Sequence, residues 1–381
     1  LLMQIFPHIK SSEEVQVEEI GEGSYNRVYG LTIPVRPPPS NPGTIRVLRT
    51  GQNTEQFVLR IPINREEMGE DVAEEISREI ATLRVVNTRL QIETPRLIQY
   101  STRAENILGK PYVIQTRLRG RSLFDLWESL NNDQLASAIH QITGIVEHIT
   151  GFGRGWTSCG PQVLSKFPNP VFVAPTTWSA PLTTPTVFQM PIEWMVEQSV
   201  RWMAYEQAEE VDEYQLIWSE LVKIARSLDR EGWLGRDFKL MHNDLYARSI
   251  MAVVVNDRTV EITGVLDWDR ACFAPESVAL RAPYWAWSKD DSEDSVNDEL
   301  FYPDDEACKN AFLEAASEDF KKFSFSAKAI LVRKLFKHFV WGVMHPQQQA
   351  GARELIDDVA HQGVFRLEDV DSSGERNMEL V

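Results

Sequence analysis

Two aspartates that flank one apolar stretch constrain this chain more than any other feature of its sequence. Asp244 precedes the stretch and Asp267 follows it. Between them lie two runs of β-branched and apolar residues, 250–255 and 260–266, separated by a polar turn at 256–258. Such runs on either side of a short polar turn are typical of a β-hairpin. A hairpin would bring both carboxylates to one rim of the fold.

The chemistry of two neighbouring carboxylates indicates what that rim can do. Transfer of a phosphoryl group from ATP to a hydroxyl needs one carboxylate that orients the hydroxyl and accepts its proton, and a second that holds Mg²⁺ at the phosphates. Asp244 suits the first task and Asp267 suits the second, with His242 supporting the loop. The competing interpretation is that Asp244 caps a helix or a turn, because a His-x-Asp sequence is common.

The segments His242 to Leu245 and Asp267 to Asp269 resemble the catalytic and metal-binding segments of the aminoglycoside phosphotransferase family, within the protein-kinase-like superfamily. The continuation through Ala274-Pro275 and Pro283 to Trp285 is similar to the fungal members. The resemblance implies a two-lobed fold, a catalytic Asp244, ATP, Mg²⁺ and a small-molecule acceptor. A protein kinase is disfavoured, because the stretch after Asp267 has neither a DFG glycine nor an APE sequence.

Ser249 departs from the family pattern, which has an asparagine as a further magnesium ligand five positions after the catalytic aspartate. A serine hydroxyl is also an oxygen donor, but it is shorter than a carboxamide and would reach the metal through water. Asp269 is close enough in sequence to give the metal an oxygen, and Arg248 could supply charge to the phosphates, although an exposed loop arginine is the ordinary interpretation. The departure leaves two alternatives open: a kinase-like binding or regulatory protein, and an enzyme that uses the nucleotide cleft for another reaction on a metabolite.

Near the amino terminus, a glycine-containing turn separates two strand-like runs within Val15 to Tyr29. By resemblance, Gly21 and Gly23 belong to a loop that covers the phosphates, and Val28 contacts the adenine. Taken alone, the same pattern fits an ordinary hairpin turn. The segment 35–49 follows, proline-rich at first and then strand-like.

A basic strand residue and a helical glutamate form the second part of the predicted nucleotide site. Phe57 to Pro62 indicates a third strand that carries Arg60, and 66–86 has apolar residues at helical spacing with Glu79 beside the apolar stripe. The resemblance implies that Arg60 binds the α and β phosphates, where kinases have a lysine, and that Glu79 pairs with it. The alternative for Glu79 is a solvated helix face.

Two further strand patterns, 94–100 and 111–115, complete an amino-terminal sheet. The chain then leaves the sheet through 116–120, which resembles the hinge whose backbone binds adenine in the superfamily. The candidate adenine contacts are therefore Gln115, Thr116 and Leu118.

The hinge divides the chain into a nucleotide-binding lobe, 1–115, and a catalytic and substrate-binding lobe, 116–381. The sequence predicts a long irregular loop at 151–191 and a frayed tail at 369–381. Apolar residues at periods of three and four predict the helices of the second lobe at 123–130, 134–150, 192–230 with a break near 210–212, 304–323 and 326–344. The predicted fold class is α/β (α+β), with a small antiparallel sheet in the first lobe and mainly helices in the second.

The composition restricts the partners and the location. A formal net charge of -17 over 381 residues disfavours nucleic acid and anionic membranes as partners. Three widely spaced cysteines and the lack of a long apolar run fit a cytoplasmic protein. By resemblance, the acidic run at 290–294 could hold a cationic acceptor, and a solvated loop is the alternative. The acceptor stays open among aminoglycosides, choline-like amines, sugars and fungal secondary metabolites, and so does the oligomeric state.

Overall fold

The structure, a computed structural model, describes residues 1–22, 26–35, 54–63, 72–90, 92–152, 160–161, 189–208, 214–288 and 305–361. The first turn of the predicted helix 66–86 lies outside these ranges. Other predicted features that lie outside them are Gly23, the strand-like run at 44–49, the acidic run at 290–294, most of the loop at 151–191 and the tail at 369–381.

An antiparallel five-stranded sheet forms the first lobe, in the strand order β1-β2-β3-β5-β4. A short helix, α1 (Leu2–Ile5), packs together with Ile9 on an apolar sheet face that includes Leu31 and Phe57. The predicted small sheet is thus confirmed. Its strands are β1 (Gln16–Glu22), β2 (Asn26–Pro34), β3 (Thr54–Pro62), β4 (Leu97–Ser101) and β5 (Tyr112–Thr116).

One long helix covers the opposite face of the sheet. α2 (Val72–Arg89) buries Ile76 and Ile80 against Val113. Because successive strand residues point to opposite faces, Ile114 packs on the α1 side while its neighbour Val113 packs on the α2 side. The predicted helix is therefore confirmed from residue 72 onward and continues to Arg89.

After β5 the chain passes into the second lobe. A two-residue strand, β6 (Arg121–Ser122), pairs with β9 (Ile250–Val254), which forms an antiparallel hairpin with β10 (Val260–Val265). The hairpin predicted between the two aspartates is confirmed. Gly120 lies just before β6 and has φ 98°, and a Cβ added to it would lie 2.2 Å from the backbone oxygen of Ala252. The lobe boundary between residues 115 and 116 stays a prediction.

Helices make up most of the second lobe. The predictions at 134–150 and, in its described parts, at 192–230 are confirmed, and the predicted break near 210–212 lies outside the described residues. The helix predicted at 123–130 ends early and continues as a 3-10 turn at Trp127–Ser129. The helices are α3 (Leu123–Leu126), α4 (Asn132–Gly151), α5 (Pro191–Ala208), α6 (Gln215–Arg230), α7 (Glu276–Ala279), α8 (Glu306–Ala315), α9 (Glu318–Phe325), α10 (Ala327–Trp341) and α11 (Pro346–His361).

A small sheet of three short strands also belongs to this lobe. Its strand order is β7 (Gly160–Pro161), β11 (Cys272–Pro275), β8 (Phe238–Met241).

Two predictions about the last helices were wrong or incomplete. The single helix predicted at 304–323 is two helices, because α8 ends at Ala315 and Ser317 caps α9 by accepting a hydrogen bond from Phe320 N. The bend lets Phe312 and Phe320 pack edge to face with ring centroids 5.0 Å apart. The helix α11 was not predicted, since its polar sequence buries little more than Ala352, Leu355 and Val359.

The large aromatic residues of α5 and α6 belong to the core of the second lobe. Trp194, Trp202 and Trp218 are each at most 4% exposed and pack with residues of α10, so these aromatic side chains form core and do not line a binding cleft. The small antiparallel sheet and the mainly helical second lobe together form the predicted α/β (α+β) fold. Of the helices that the structure describes, none is both long and apolar enough to cross a membrane.

Candidate active site

The loop after β8 carries Asp244 between two tight turns. Asn243 has a left-handed backbone conformation, φ 61°, which asparagine tolerates better than most residues. Tyr246 N then donates to Asp244 O at 3.1 Å, and Ser249 N donates to Tyr246 O at 2.9 Å. A 3-10 turn, Ala247–Ser249, leads directly into β9. The loop is thus held by its own backbone against the base of the hairpin.

His242 is buried and links the two ends of the site. Its Nε2 donates to Leu266 O at 2.7 Å, and its Nδ1 accepts from Asp244 N at 3.3 Å. Because a carbonyl can only accept and an amide N–H can only donate, these contacts require the neutral imidazole with the proton on Nε2. Burial lowers the pKa of His242, although the Leu266 carbonyl and the charges of Asp267 and Asp269 oppose the shift.

Asp244 lies beside a guanidinium group. Arg248 Nη2 donates to Asp244 Oδ1 at 2.5 Å, and the Arg248 side chain stacks over the ring of Tyr246 at 4.6 Å. Burial raises the pKa of Asp244, and the charges of Arg248 and Arg270 oppose that shift. The negative charges of Asp267 and Asp269 raise it further. The charges of Asp267 and Asp269 thus act on Asp244, so the three carboxylates belong to one site.

Asp267 stands where β10 ends and turns away in a left-handed conformation, φ 58°. Leu266 N donates to Ser249 O at 2.8 Å, which ties the end of the hairpin to the loop of Asp244. Arg60 Nη2 approaches Asp267 Oδ1 to 3.9 Å. The loops of Asp244 and Asp267 therefore lie together, as predicted, and the guanidinium of Arg60 from the first lobe lies beside Asp267.

Arg60 and Glu79 form the predicted ion pair. Arg60 Nη1 donates to Glu79 Oε1, and both residues are buried, at 8% and 6% exposure. Arg60 comes from β3 and Glu79 from α2, so the pair fixes the helix to the sheet. Breaking one partner of such a pair would leave a buried charge uncompensated. The alternative of a solvated helix face for Glu79 is wrong.

Ser249 is fully buried, and its Oγ has no hydrogen-bond partner among the described residues. The described part of the chain also has no group of three or more His, Cys, Asp or Glu residues that could hold a metal by itself. Asp267 and Asp269 lie two residues apart after β10, and one or two carboxylates together with phosphate oxygens are the usual ligands of Mg²⁺. The site therefore fits Mg²⁺ that arrives with a nucleotide.

The remaining predicted nucleotide contacts line the sheet and the hinge. Gly21 lies at a bulge in β1 opposite Val28, and Val28 lies opposite Arg60. At the other end, Gln115 is buried with its Oε1 lacking a partner within the described chain. Thr116 Oγ1 accepts from Arg96 N, and Leu118 packs over Gly264, where an added Cβ would lie 2.6 Å from Leu118 Cδ1. Gly23 lies outside the described residues.

Some residues that hold the catalytic loop were not predicted in that role. Trp285 Nε1 donates to Leu245 O at 2.9 Å, and Ser122 Oγ, which caps α3, also donates to Ala247 O at 3.3 Å. Arg270 was not singled out, although its charge acts on Asp244. In the sequence, Pro283 to Trp285 carries only a family resemblance, because long-range contacts of this kind leave no periodic signal.

Comparison with known proteins gives one family and several partial relatives. Residues 35–294 match the family described as the phosphotransferase enzyme family. The chain is similar to "Altered inheritance of mitochondria protein 9, mitochondrial" of Debaryomyces hansenii, with 26% identity over 136 residues that cover 36% of this chain and 19% of that protein. It is likewise similar to a subtelomeric hrmA-associated cluster protein of Aspergillus fumigatus, with 25% identity over 136 residues, 36% of this chain and 23% of that protein. The match thus spans about a fifth of each relative's length.

Two solved structures are similar along most of their length. Aminoglycoside phosphotransferase APH(4)-Ia aligns with a TM-score of 0.47 and 16% identity, covering 95% of this chain and 97% of that chain. The GDP complex of wild-type aminoglycoside 2'-phosphotransferase-IIIa aligns with a TM-score of 0.46 and 14% identity, over 95% of this chain and 97% of that one.

Proposed function

The chain belongs to the phosphotransferase enzyme family, and from that premise we propose that it transfers the γ-phosphoryl group of ATP to a hydroxyl of a small molecule. One observation carries the proposal: Asp244 and Asp267 meet at one rim, and Arg60 reaches that rim from the sheet, 3.9 Å from Asp267. A base, a metal-binding carboxylate and a phosphate-binding cation are the groups that this reaction needs.

Asp244 serves as the base in the proposed reaction. It orients the acceptor hydroxyl and takes its proton while the hydroxyl oxygen bonds to the γ-phosphorus, the bond from that phosphorus to the bridging oxygen breaks, and ADP leaves. His242 does not compete for the proton, because both of its ring nitrogens are engaged by Leu266 O and Asp244 N. His242 instead positions the loop.

The first lobe binds ATP in this proposal. Arg60, held by Glu79, contacts the phosphates, and the glycine-containing turn covers them. Asp267 and Asp269 would hold Mg²⁺ together with phosphate oxygens, with Ser249 contributing through water. When bound, the ion neutralises charge on the phosphates. The proposed adenine contacts and phosphate-loop residues are Gly21, Gly23, Val28, Gln115, Thr116 and Leu118.

A second candidate is a kinase-like binding or regulatory protein. Two observations favour it: Ser249 replaces the expected asparagine, and Arg248 occupies Asp244 Oδ1. An enzyme that uses the cleft for a different reaction on a metabolite is the third candidate. Binding of ATP with Mg²⁺, followed by a screen of metabolites for ADP release, separates the first two: ADP release identifies the kinase, and nucleotide binding only without metal identifies the regulatory protein.

The proposed setting is cytoplasmic, with a small-molecule acceptor and neither nucleic acid nor a membrane as partner. The formal net charge of -17 disfavours nucleic acid and membranes as partners, because phosphate backbones and anionic lipid surfaces repel an acidic protein. The curated relatives include proteins of yeasts and of Aspergillus, some of them named as mitochondrial, so a mitochondrial setting is the alternative. Fractionation of a fungal cell that expresses the full-length protein would decide between the two.

The substitution Asp244→Asn tests the catalytic assignment. We expect turnover to fall by about 10²- to 10⁴-fold, the usual contribution of a general base, while the affinity for an ATP analogue with Mg²⁺ changes little. Asp257→Asn, in the exposed hairpin turn, is a control that removes a similar charge without touching the site. Full turnover by Asp244→Asn would remove this residue from the mechanism.

A further inference from the structure

The surroundings of Asp244 indicate the charge of the acceptor. Arg248 Nη2 lies 2.5 Å from Asp244 Oδ1, so a hydroxyl bound to the same carboxylate would have the guanidinium as its immediate neighbour. We propose that the acceptor carries an anionic oxygen group, a carboxylate or a phosphate, beside the hydroxyl that reacts, and that Arg248 binds this group. This inference rests on the proposed function.

Arg248 has donors available for such a ligand. Its side chain is 57% exposed, and within the described residues its contacts are the bond to Asp244 and the stacking over Tyr246. A guanidinium has five N–H donors in a fixed fork that matches carboxylate and phosphate oxygens. Most of these donors are therefore open to a bound anion.

Two neighbouring side chains hold the Arg248 guanidinium. Tyr246 supports its face at 4.6 Å, and Asp244 holds one edge. Residues 247–249 form a 3-10 turn that is tied to the hairpin through Ser249 O. Since a preorganised arginine loses less side-chain freedom on binding, this geometry suits recognition of a planar anionic group.

The local charge argues against an ammonium group at this place. Arg270, exposed on the turn after Asp267, is a second guanidinium whose charge acts on Asp244. The described carboxylates near Asp244 are Asp267 and Asp269, which the proposed function assigns to the metal. Among the described residues, a cationic amine next to the reacting hydroxyl would thus lie beside the Arg248 guanidinium, and both described carboxylates near Asp244 are already assigned to the metal.

A series of three-carbon probes tests the charge preference. Glycerate, glycerol 3-phosphate, glycerol and 3-aminopropane-1,2-diol present hydroxyls beside a carboxylate, a phosphate, a neutral group and an ammonium. Their binding is measured by ligand-detected NMR in the presence of Mg²⁺ and a non-hydrolysable ATP analogue. We expect one or both anionic probes to bind about ten- to hundredfold more tightly than the other two, the usual effect of a hydrogen bond to a charged group. The anionic probe that binds more tightly identifies the group.

Variants at Arg248 connect any preference to this side chain. Arg248→Gln should abolish the preference, Arg248→Lys should restore part of it, and Arg258→Gln, on an exposed turn, should leave it unchanged. Equal binding of all probes, tighter binding of the amine, absence of binding by either anion, or an unaltered preference in Arg248→Gln would each overturn the proposal. The affinity for the nucleotide analogue is measured in every protein: its loss in the wild type contradicts the proposed function, whereas its loss in Arg248→Gln with unchanged anion binding assigns Arg248 to the nucleotide.

Discussion

The hydroxyl of Ser249 is the least satisfied polar group of the catalytic loop. It is buried and has no hydrogen-bond partner within the described structure, a situation that costs about 1–3 kcal/mol. Its backbone, in contrast, is fully engaged with Tyr246 and Leu266. The backbone at position 249 is therefore fully hydrogen-bonded within the loop, and only the side chain is shorter than the asparagine of the family pattern.

A longer side chain at position 249 would place an oxygen nearer to a metal held by Asp267. We expect Ser249→Asn to tighten nucleotide binding in the presence of Mg²⁺ by roughly tenfold or more, as one added contact to a charged partner is worth about 1.5–3 kcal/mol. Titration of an ATP analogue with and without Mg²⁺ measures the effect. Ser249→Ala is the matched control. If Ser249→Asn changes affinity equally in both conditions, the metal assignment of this position is wrong.

The identities of the charged residues could be predicted from the sequence, but their partners only in part. The Arg60–Glu79 pair was predicted because both residues matched a known pattern. The contact between Arg248 and Asp244 was not predicted, since a loop arginine has many rotamers and its position depends on Tyr246, on the turn that follows and on burial of the carboxylate. Such contacts are determined by tertiary geometry.

At the scale of elements, the passage from the sheet to the second lobe depends on one glycine. Gly120 combines φ 98° with a backbone oxygen 2.2 Å from the position of an added Cβ. We expect Gly120→Ala to lower the free energy of unfolding by about 2 kcal/mol or more, because strain in φ adds to a clash that only backbone movement can relieve. Chemical denaturation measures the change.

The control for that substitution is another glycine. Gly144 lies in α4 with nothing within 4 Å of an added Cβ, and Gly144→Ala should stabilise the protein by roughly 0.5–1 kcal/mol, the difference between the two residues inside a helix. A Gly120→Ala variant as stable as Gly144→Ala would show that the chain at residue 120 can take another path.

The contact between α5 and α6 contains a buried acid. Trp218 Nε1 donates to Glu206 Oε1 at 3.0 Å and to Oε2 at 3.1 Å. Burial raises the pKa of Glu206 to about 7, although the Trp218 hydrogen bond opposes the shift. The folded state then binds the proton more tightly than the unfolded state, whose ordinary value is about 4.3. Stability should accordingly fall as the pH rises from the unfolded pKa to the folded pKa, and change little above it.

Replacement of that acid should remove the pH dependence. We expect Glu206→Gln to raise the unfolding temperature at pH 8 and to leave it nearly unchanged at pH 4.5, because the amide keeps an acceptor for Trp218 and carries no charge. Glu354→Gln, on the exposed face of α11, removes the same charge from a solvated position. Parallel curves of stability against pH for the wild type and Glu206→Gln would contradict the assignment.

The elements themselves were predicted where apolar periodicity was strong. The hairpin between the aspartates and helix α4 have long, regular apolar patterns. The division between α8 and α9 was missed because the apolar spacing continues across Ser317, so the capping serine was the only local signal. Helix α11 was missed because one narrow stripe is enough to dock a helix on a core that already exists.

At the scale of the whole molecule, Arg60 connects the two lobes. It is bound by Glu79 in the first lobe and lies 3.9 Å from Asp267 in the second. The Arg60 guanidinium is thus within ion-pair distance of that carboxylate. Nucleotide and Mg²⁺ would place phosphates and a second cation between the same groups, so their binding should hold the lobes together.

The thermal stability of the whole chain should therefore depend on nucleotide and metal jointly. We expect Mg²⁺ alone to leave the unfolding temperature unchanged, because Asp267 and Asp269 are too few ligands to hold the ion without phosphates. An ATP analogue with Mg²⁺, at about a hundred times its Kd, should raise the free energy of unfolding by about 2.7 kcal/mol and the unfolding temperature with it. The analogue alone should raise both by less. Asp267→Asn should abolish the difference that Mg²⁺ makes, whereas Asp358→Asn, on exposed α11, should preserve it. An equal shift with and without Mg²⁺ in the wild type would show that Asp267 pairs with Arg60 and takes no part in binding metal.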